Sequence, residues 1–329
     1  MTVLVTGGAG YIGAHMVLAL VEAGEKVIVL DDLSTGFRGA VDAPAELIAG
    51  DMGDIPLVEK ILGEYEIDAI AHFAAKIVVP ESVSNPLLYY FNNTAKARNL
   101  IECAARRGIK HFIFSSTAAV YGEPEANPIK ETSPLAPVNP YGRSKLMTEW
   151  ILQDVGQAHG LKYMILRYFN VAGADPKGRI GQSTPEATHL IKVAVQAALG
   201  LRPRLDVFGT DYPTRDGTCI RDYIQVSDLV AAHLMALEYL RGGGESAICN
   251  CGYGDGFSVL EVINVVKQVS GADFEVRMAG RRPGDPVTLM ADPARIKKLL
   301  GWTPKYNDLP TIVRQALDWE RRLQREPLA

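Results

Sequence analysis

Tyr141 and Lys145 stand four residues apart in Tyr141-Gly-Arg-Ser-Lys145, and of the thirteen tyrosines only this one has a lysine at that distance. On a helix the spacing puts both side chains on one face. A phenol with a free pKa near 10 must fall by roughly three units to act as a base near neutral pH, which takes about 4 kcal/mol of preferential stabilisation of the phenolate. A lysine ammonium, a helix N-terminus and an oxidised nicotinamide are three positive sources able to supply it. The pair therefore suits removal of a proton from an alcohol. Asn139 and Pro140 read as N-cap and first-turn proline, which places Tyr141 in the first turn of its helix. Phe114-Ser-Ser-Thr117 closes a strand with three hydroxyls. Thr117 is the one expected to hold the reacting oxygen beside Tyr141, with a turn-forming role as the plainer alternative.

A second group points to the co-reactant. Thr6-Gly-Gly-Ala-Gly-Tyr-Ile-Gly13 follows a strand and opens a helix, with Gly7, Gly10 and Gly13 at intervals of three. Glycine lets the backbone turn sharply and approach a pyrophosphate, whose charge then meets the helix N-terminus. Asp31 ends the next strand about twenty residues on, where ribose recognition needs a carboxylate. Asp32 beside it would repel a 2′-phosphate, so NAD is expected rather than NADP. Asp51, in Ala49-Gly-Asp-Met52, is placed to meet the adenine, or is simply an exposed loop carboxylate.

These residues need a scaffold that brings strand ends together. Short aliphatic runs at Val3-Thr6, Lys26-Leu30, Leu47-Ala49, Ala69-Phe73, His111-Ser115 and Tyr163-Arg167 alternate with helical patterns at Ile12-Ala23, Pro56-Tyr65, Leu87-Arg107 and Pro140-His159. That alternation predicts an α/β fold, a doubly wound parallel sheet of the Rossmann type, with Gly24 and Gly108 as C-terminal caps. Beyond Ala172, clusters of Gly, Pro and Asp separate shorter elements, which predicts a smaller C-terminal α/β domain for substrate. Asp222-Leu240 reads as a strand then a helix returning to the first domain. The expected division is residues 1–171 plus about 222–247 for the dinucleotide, and about 172–221 plus 248–329 for the substrate.

The 329 residues are 47% apolar and carry a net charge of −4 without basic runs, so nucleic acid is not an expected partner. No run of about 18 apolar residues occurs, and the first residues read as a strand, so no membrane partner is expected and the location expected is cytoplasmic. Cys103, Cys219, Cys249 and Cys251 lack zinc-site spacing and read as free, mostly buried thiols.

The Gly-rich loop, strand-end Ser/Thr and Tyr-x-x-x-Lys together resemble the extended short-chain dehydrogenase/reductase family. Within it the chain is most similar to the UDP-glucose 4-epimerases, through His72-Phe-Ala, Pro80-Glu-Ser, Asn92-Asn-Thr94, Leu166-Arg-Tyr-Phe-Asn170, Phe208-Gly-Thr-Asp-Tyr-Pro-Thr214, Asp216-Gly-Thr-Cys-Ile-Arg-Asp-Tyr-Ile224 and Arg281-Arg-Pro-Gly-Asp285. The resemblance implies a retained NAD and Tyr141, Lys145 and Thr117 as catalytic residues. It implies that Tyr141 takes the proton of the sugar 4-hydroxyl while the C4 hydride passes to NAD, and that the 4-keto sugar turns over and is reduced on its other face. It also implies cofactor contacts from Tyr11, Ile12, Met52, Phe73, Ala74, Asn92, Ser115 and Tyr168 besides the residues above. UDP would be held by Asn170, His189, Leu190, Phe208, Arg221, Arg282 and Asp285. Two arginines suit a diphosphate because each planar fork gives paired, charge-assisted hydrogen bonds. A homodimer through the helices at 87–107 and 140–159 is implied as well.

Departures limit that resemblance. Where many relatives have His-Phe-Ala-Gly-Leu-Lys, this chain has His72-Phe-Ala-Ala-Lys-Ile77, so Ile77 stands at their lysine position. Dehydratase relatives carry Asp-Glu after the strand-end hydroxyl, and a UDP-glucuronate decarboxylase carries the Glu; Ala118-Ala119 here counts against both. Leu289 stands at the position that limits the sugar pocket, which leaves UDP-xylose/UDP-arabinose and UDP-N-acetylhexosamines open as alternative substrates. A non-catalytic dinucleotide sensor would have no reason to keep Tyr141, Lys145 and Thr117 together.

Overall fold

Strands covered on both faces read as continuous apolar runs, because neither face meets water. In the computed structural model, which describes residues 1–41, 43–184, 187–282 and 284–328, the first half of the chain builds such strands. In order it forms β1 (Thr2–Thr6), α1 (Tyr11–Glu22), β2 (Lys26–Asp31), β3 (Glu46–Ala49), α2 (Ile55–Glu64), β4 (Ile67–His72), α3 (Val79–Ser84), α4 (Pro86–Tyr89), α5 (Lys96–Arg106), β5 (His111–Thr117), α6 (Pro140–His159) and β6 (Lys162–Tyr168). There follow β7 (Asn170–Ala172), α7 (Leu190–Ala198), β8 (Leu205–Phe208), β9 (Ile220–Gln225), α8 (Val226–Arg241), β10 (Ala247–Cys251), β11 (Gly256–Ser258), α9 (Val259–Ser270), β12 (Val276–Ala279), β13 (Thr288–Leu289), α10 (Ala294–Leu300) and α11 (Leu309–Arg325).

Seven parallel strands make the main sheet, in the order β10-β6-β5-β4-β1-β2-β3. Successive side chains feed opposite faces. Leu4, Ile28, Ile70, Phe112 and Ile165 pack with Val58, Ile61, Leu100 and Leu152 of α2, α5 and α6. Val3, Val5, Val29, Ala71 and Leu166 pack on the other side with Met16 and Leu20 of α1 and Leu229 and Leu237 of α8. The doubly wound fold is thus as expected. Strand order reverses between β1 and β4, so their C-terminal ends diverge and open a crevice there.

Two expectations are corrected. The single helix expected over 87–107 is interrupted by a π-helical turn at Tyr90–Ala95. Its polar groups bond sideways: the Asn93 carbonyl accepts from the Thr148 hydroxyl at 2.9 Å, and Asn93 Nδ2 donates to Lys76 O and to Ser144 Oγ. Such inserted turns recur at functional sites. Sheet membership also moves the return segment. β9 pairs with β7, β11 and β13 in a small sheet, whereas β10 runs in register with β6 from Ala247↔Met164 to Cys251↔Tyr168. The segment that rejoins the main sheet is therefore 226–251, because the apolar run at 247–251 extends the sheet edge.

Helix α6 spans the expected residues. Asn139 Oδ1 accepts from Gly142 N at 2.9 Å, Pro140 occupies the first turn, and Gly160 at φ +72° ends the helix. Gly142 is required by a close approach, since a Cβ there would lie 2.6 Å from Ala119 O in the turn after β5. That approach brings Tyr141 up to the end of β5. Replacing Asn139 with Ala should lower the unfolding free energy by about 1 kcal/mol in urea, with Ser restoring most of it; an unchanged midpoint would mean the cap contributes nothing.

Candidate active site

The loop after β1 is built for an anion. Gly7 has φ +73°, and a Cβ on it would lie 2.5 Å from Ala74 N; a Cβ on Gly13 would lie 2.0 Å from Gly7 O. Gly10 caps α1 without any side-chain hydrogen bond. The first-turn N–H groups, including those of Tyr11, Ile12 and Gly13, have no partner within the helix and can meet a pyrophosphate. The Tyr11 hydroxyl donates to Gly173 O at 2.7 Å, so its backbone is what it can offer a dinucleotide. Asp31 is buried at the end of β2, accepting from Ala9 N at 2.9 Å and Leu33 N at 2.8 Å. Burial raises its pKa against those two hydrogen bonds. Asp32 is exposed and accepts from Ser34 N. Asp51 accepts from Gly53 N and pairs with Lys96, a local structural role, with Met52 buried beside it.

Phe73 N and Ala74 N both donate to Thr6 O, which lays the chain after β4 across Gly7. The Phe73 ring lies 5.0 Å and the Tyr168 ring 6.4 Å from His233, forming an aromatic wall. Asn92 is buried in the π turn, and Asn93 holds both backbone groups of Lys76. Ile77 is exposed, at 45%.

Thr117, Tyr141 and Lys145 are all buried. Lys145 Nζ donates to Ser115 O at 2.9 Å and sits 4.9 Å from the Phe114 ring centre. Burial pulls the lysine pKa down to about 7, opposed by the carboxylate of Glu149. The Thr117 oxygen accepts from Ala119 N at 3.1 Å, so it does form the turn, and its hydroxyl lies close enough to Tyr141 to oppose the rise of the phenol pKa. Burial, Tyr168 and Tyr89 outweigh it, and the protein's own groups leave the Tyr141 phenol above its ordinary value. The depression expected from sequence is not achieved by these residues alone. Among the described residues the buried Ser115 hydroxyl has no hydrogen bond of ordinary geometry, although the Tyr168 hydroxyl stands close to it. A glycine cradle, uncapped helix amides, a buried hydroxyl and a buried lysine together fit a dinucleotide.

The other candidate residues fall into two groups. Asn170, His189 and Leu190 line one cavity, where Gln182 Nε2 donates to His189 Nδ1 at 2.8 Å. The Arg282 guanidinium stacks 4.6 Å from the Phe208 ring and binds Asp285 at 2.9 Å. Their loop reaches the catalytic helix: a Cβ on Gly284 would lie 3.8 Å from Val138 Cγ2, next to the Asn139 cap. Arg221 bonds the adjacent Ile220 carbonyl and is in register with Leu289.

Sequence reasoning passed over Glu149, Arg167, Tyr121 and Asn93. Arg167 was detectable as a charge inside an apolar strand, which demands a buried partner. Glu149 was detectable as a carboxylate one turn beyond Lys145.

Residues 3–252 match the NAD dependent epimerase/dehydratase family. A UDP-glucose 4-epimerase of Azospirillum brasilense is 58% identical over 322 residues, covering 98% of this chain and 92% of that protein. The crystal structure of a Brucella ovis UDP-glucose 4-epimerase in complex with NAD superposes with TM-score 0.93 at 43% identity, covering 96% of this chain and 97% of that one. The UDP-Glc/GlcNAc 4-epimerase of Campylobacter jejuni gives TM-score 0.86 at 50% identity, covering 98% and 99%. Asp31→Ala removes an acceptor of two backbone N–H groups, so the purified variant should lose its dinucleotide, read as a fall in 260 nm absorbance of the extract after acid release; undiminished dinucleotide would exclude this role.

Proposed function

This chain belongs to the NAD dependent epimerase/dehydratase family, and from that premise we propose that it interconverts UDP-glucose and UDP-galactose through a 4-keto sugar. The observation that carries the reading is the meeting of Thr117, Tyr141 and Lys145 beside the crevice where strand order reverses. NAD, when bound, supplies the hydride acceptor and donor and a positive charge beside the phenol. The amides that open α1 bind its pyrophosphate, Asp31 and Asp32 its adenosine ribose, and Asp51 and Met52 flank the adenine. Phe73, Ala74, Asn92, Ser115, Lys145 and Tyr168 hold the nicotinamide end.

Tyr141 accepts the proton of the sugar 4-hydroxyl and gives it back when C4 is reduced. Thr117 donates a hydrogen bond that stabilises the phenolate form and aligns the sugar oxygen. Lys145 orients the ribose and adds positive charge. Asn170, His189, Leu190, Phe208 and Arg221 hold the uridine diphosphate, and Arg282 exchanges its contact with Asp285 for phosphate oxygens. Both hydrogens return to the sugar, so no net oxidation results. Leu289 lies in a small buried apolar cluster with Ala118, Val120, Tyr121, Leu146 and Phe169. Leu289 is smaller than tyrosine and larger than cysteine, so its size leaves N-acetylated UDP sugars open as a second class of substrate.

We assign the chain a homodimeric form. Leu87 and Phe91 before α5, and Met147 and Trp150 on α6, are large apolar side chains exposed at 78%, 60%, 36% and 50% on neighbouring helices. Light scattering should give twice the chain mass, and Trp150→Glu should reduce it to the single-chain value; a monomeric wild type would remove the dimer. A cytoplasmic location is part of the same proposal, and no helix among the described residues is long and apolar enough to cross a membrane.

Incubation with UDP-galactose and no added NAD should yield UDP-glucose, followed chromatographically. Tyr141→Phe should keep dinucleotide and UDP binding while kcat drops by ~10²–10⁴-fold. No UDP-glucose from the wild type, with or without added NAD, would overturn the hexose assignment.

A further inference from the structure

Glu149 is a fully buried carboxylate that touches none of the groups assigned above to substrate or cofactor. It lies on α6 one turn beyond Lys145 and two beyond Tyr141. Its oxygens accept from Arg167 Nε at 3.0 Å and Nη2 at 2.6 Å and from the Ser116 hydroxyl. Arg167, itself buried, donates from Nη1 to the Tyr121 hydroxyl at 3.0 Å, and that hydroxyl donates to Asn250 Oδ1 at 2.6 Å. Helix α6 and strand β5 are thus tied twice, one turn apart. Lys145 reaches the carbonyl of Ser115, and Ser116, the next residue, reaches Glu149. Thr117 follows directly.

We propose that Glu149, clamped by Arg167, is a positioning residue that sets the α6–β5 register on which the Lys145–Ser115 bond depends and supplies the negative charge facing the lysine. The titratable and charged groups around Tyr141 and Lys145 are Glu149 on their own helix, His72 from β4, Tyr89 from α4, and Arg167 and Tyr168 from β6. His72, lowered to about 3 by burial and by Lys145, is neutral. Glu149 is the group that holds the lysine pKa up against burial. Removing its charge therefore lowers the lysine pKa, and the catalytically useful ammonium is lost at a lower pH.

The inference rests on the 4-epimerase reading, and its test separates the two. In holoenzyme labelled with ¹³C-lysine, with Lys145 assigned through Lys145→Arg, the lysine of Glu149→Gln should titrate about one pH unit below wild type. The alkaline limb of kcat for UDP-galactose should move the same way with KM unchanged. Ser116→Ala keeps the ion pair and cuts one tie, so kcat should fall ~tenfold without displacement of the limb. Should Glu149→Gln fail to fold because it strands a buried guanidinium, the Glu149→Gln/Arg167→Met double variant removes both charges and should move the titration in the same direction by a smaller amount, since a neighbouring cation is lost with the carboxylate. An unchanged lysine titration in either folded variant overturns the charge role, and an unchanged kcat in Ser116→Ala overturns the register role. A wild type silent on UDP-galactose removes the epimerase reading instead, and the titration, which needs no substrate, still tests the positioning.

Discussion

Parallel strands buried on both faces can offer hydrogen-bonding groups to a ligand only where they end, and that constraint governs this molecule. Gly7 follows β1, Asp31 ends β2, Phe73 follows β4, Thr117 ends β5 and Tyr168 ends β6. Five strands from separate stretches of sequence deliver their last residues to one edge. The sheet reversal between β1 and β4 opens that edge. Helix α6 brings its chemistry in from the side, and it can do so because Gly142 lets its first turn press against Ala119.

Burial disfavours the charged states that the chemistry of this site calls for. Desolvation lowers Lys145 to about 7 and raises both the Tyr141 phenol and the Asp31 carboxyl. A folding protein gains nothing from such groups unless a ligand meets them. Their cost is borne by the two apolar faces of the sheet, whose buried aliphatic side chains each contribute about 1.5–3 kcal/mol relative to exposure.

The sheet, its helices and the Tyr141–Lys145 pair were legible in the sequence because each is encoded locally: apolar runs for strands, glycine spacing for the turn, Asn139-Pro140 for the cap. The dinucleotide loop was legible for the same reason. What stayed hidden depends on contacts between distant residues. The π turn at Tyr90–Ala95 goes with a bond from the Thr148 hydroxyl to the Asn93 carbonyl, made by a helix 55 residues further along the chain. The Glu149–Arg167 pair needed β6 and α6 to be laid side by side, and the pairing of β10 with β6 needed the finished sheet edge. Tyr141 shows the converse. Its spacing set it on α6 one turn before Lys145, but burial is a property of the assembled molecule, and burial decides which way its pKa moves in the protein itself.

The Tyr11 hydroxyl, in the first turn of the anion-binding helix, is bonded to Gly173 O on the loop after β7, and the same loop reaches α1 again through Arg179 and Glu22. That loop begins three residues beyond Asn170, a candidate for the uridine side. The two ligands are consequently gripped by one continuous piece of chain. A dinucleotide whose pyrophosphate rested on that first turn would lie against a helix already tied to the segment that follows Asn170. Any shift of that segment would therefore be felt at the first turn of α1 as well as beside Asn170.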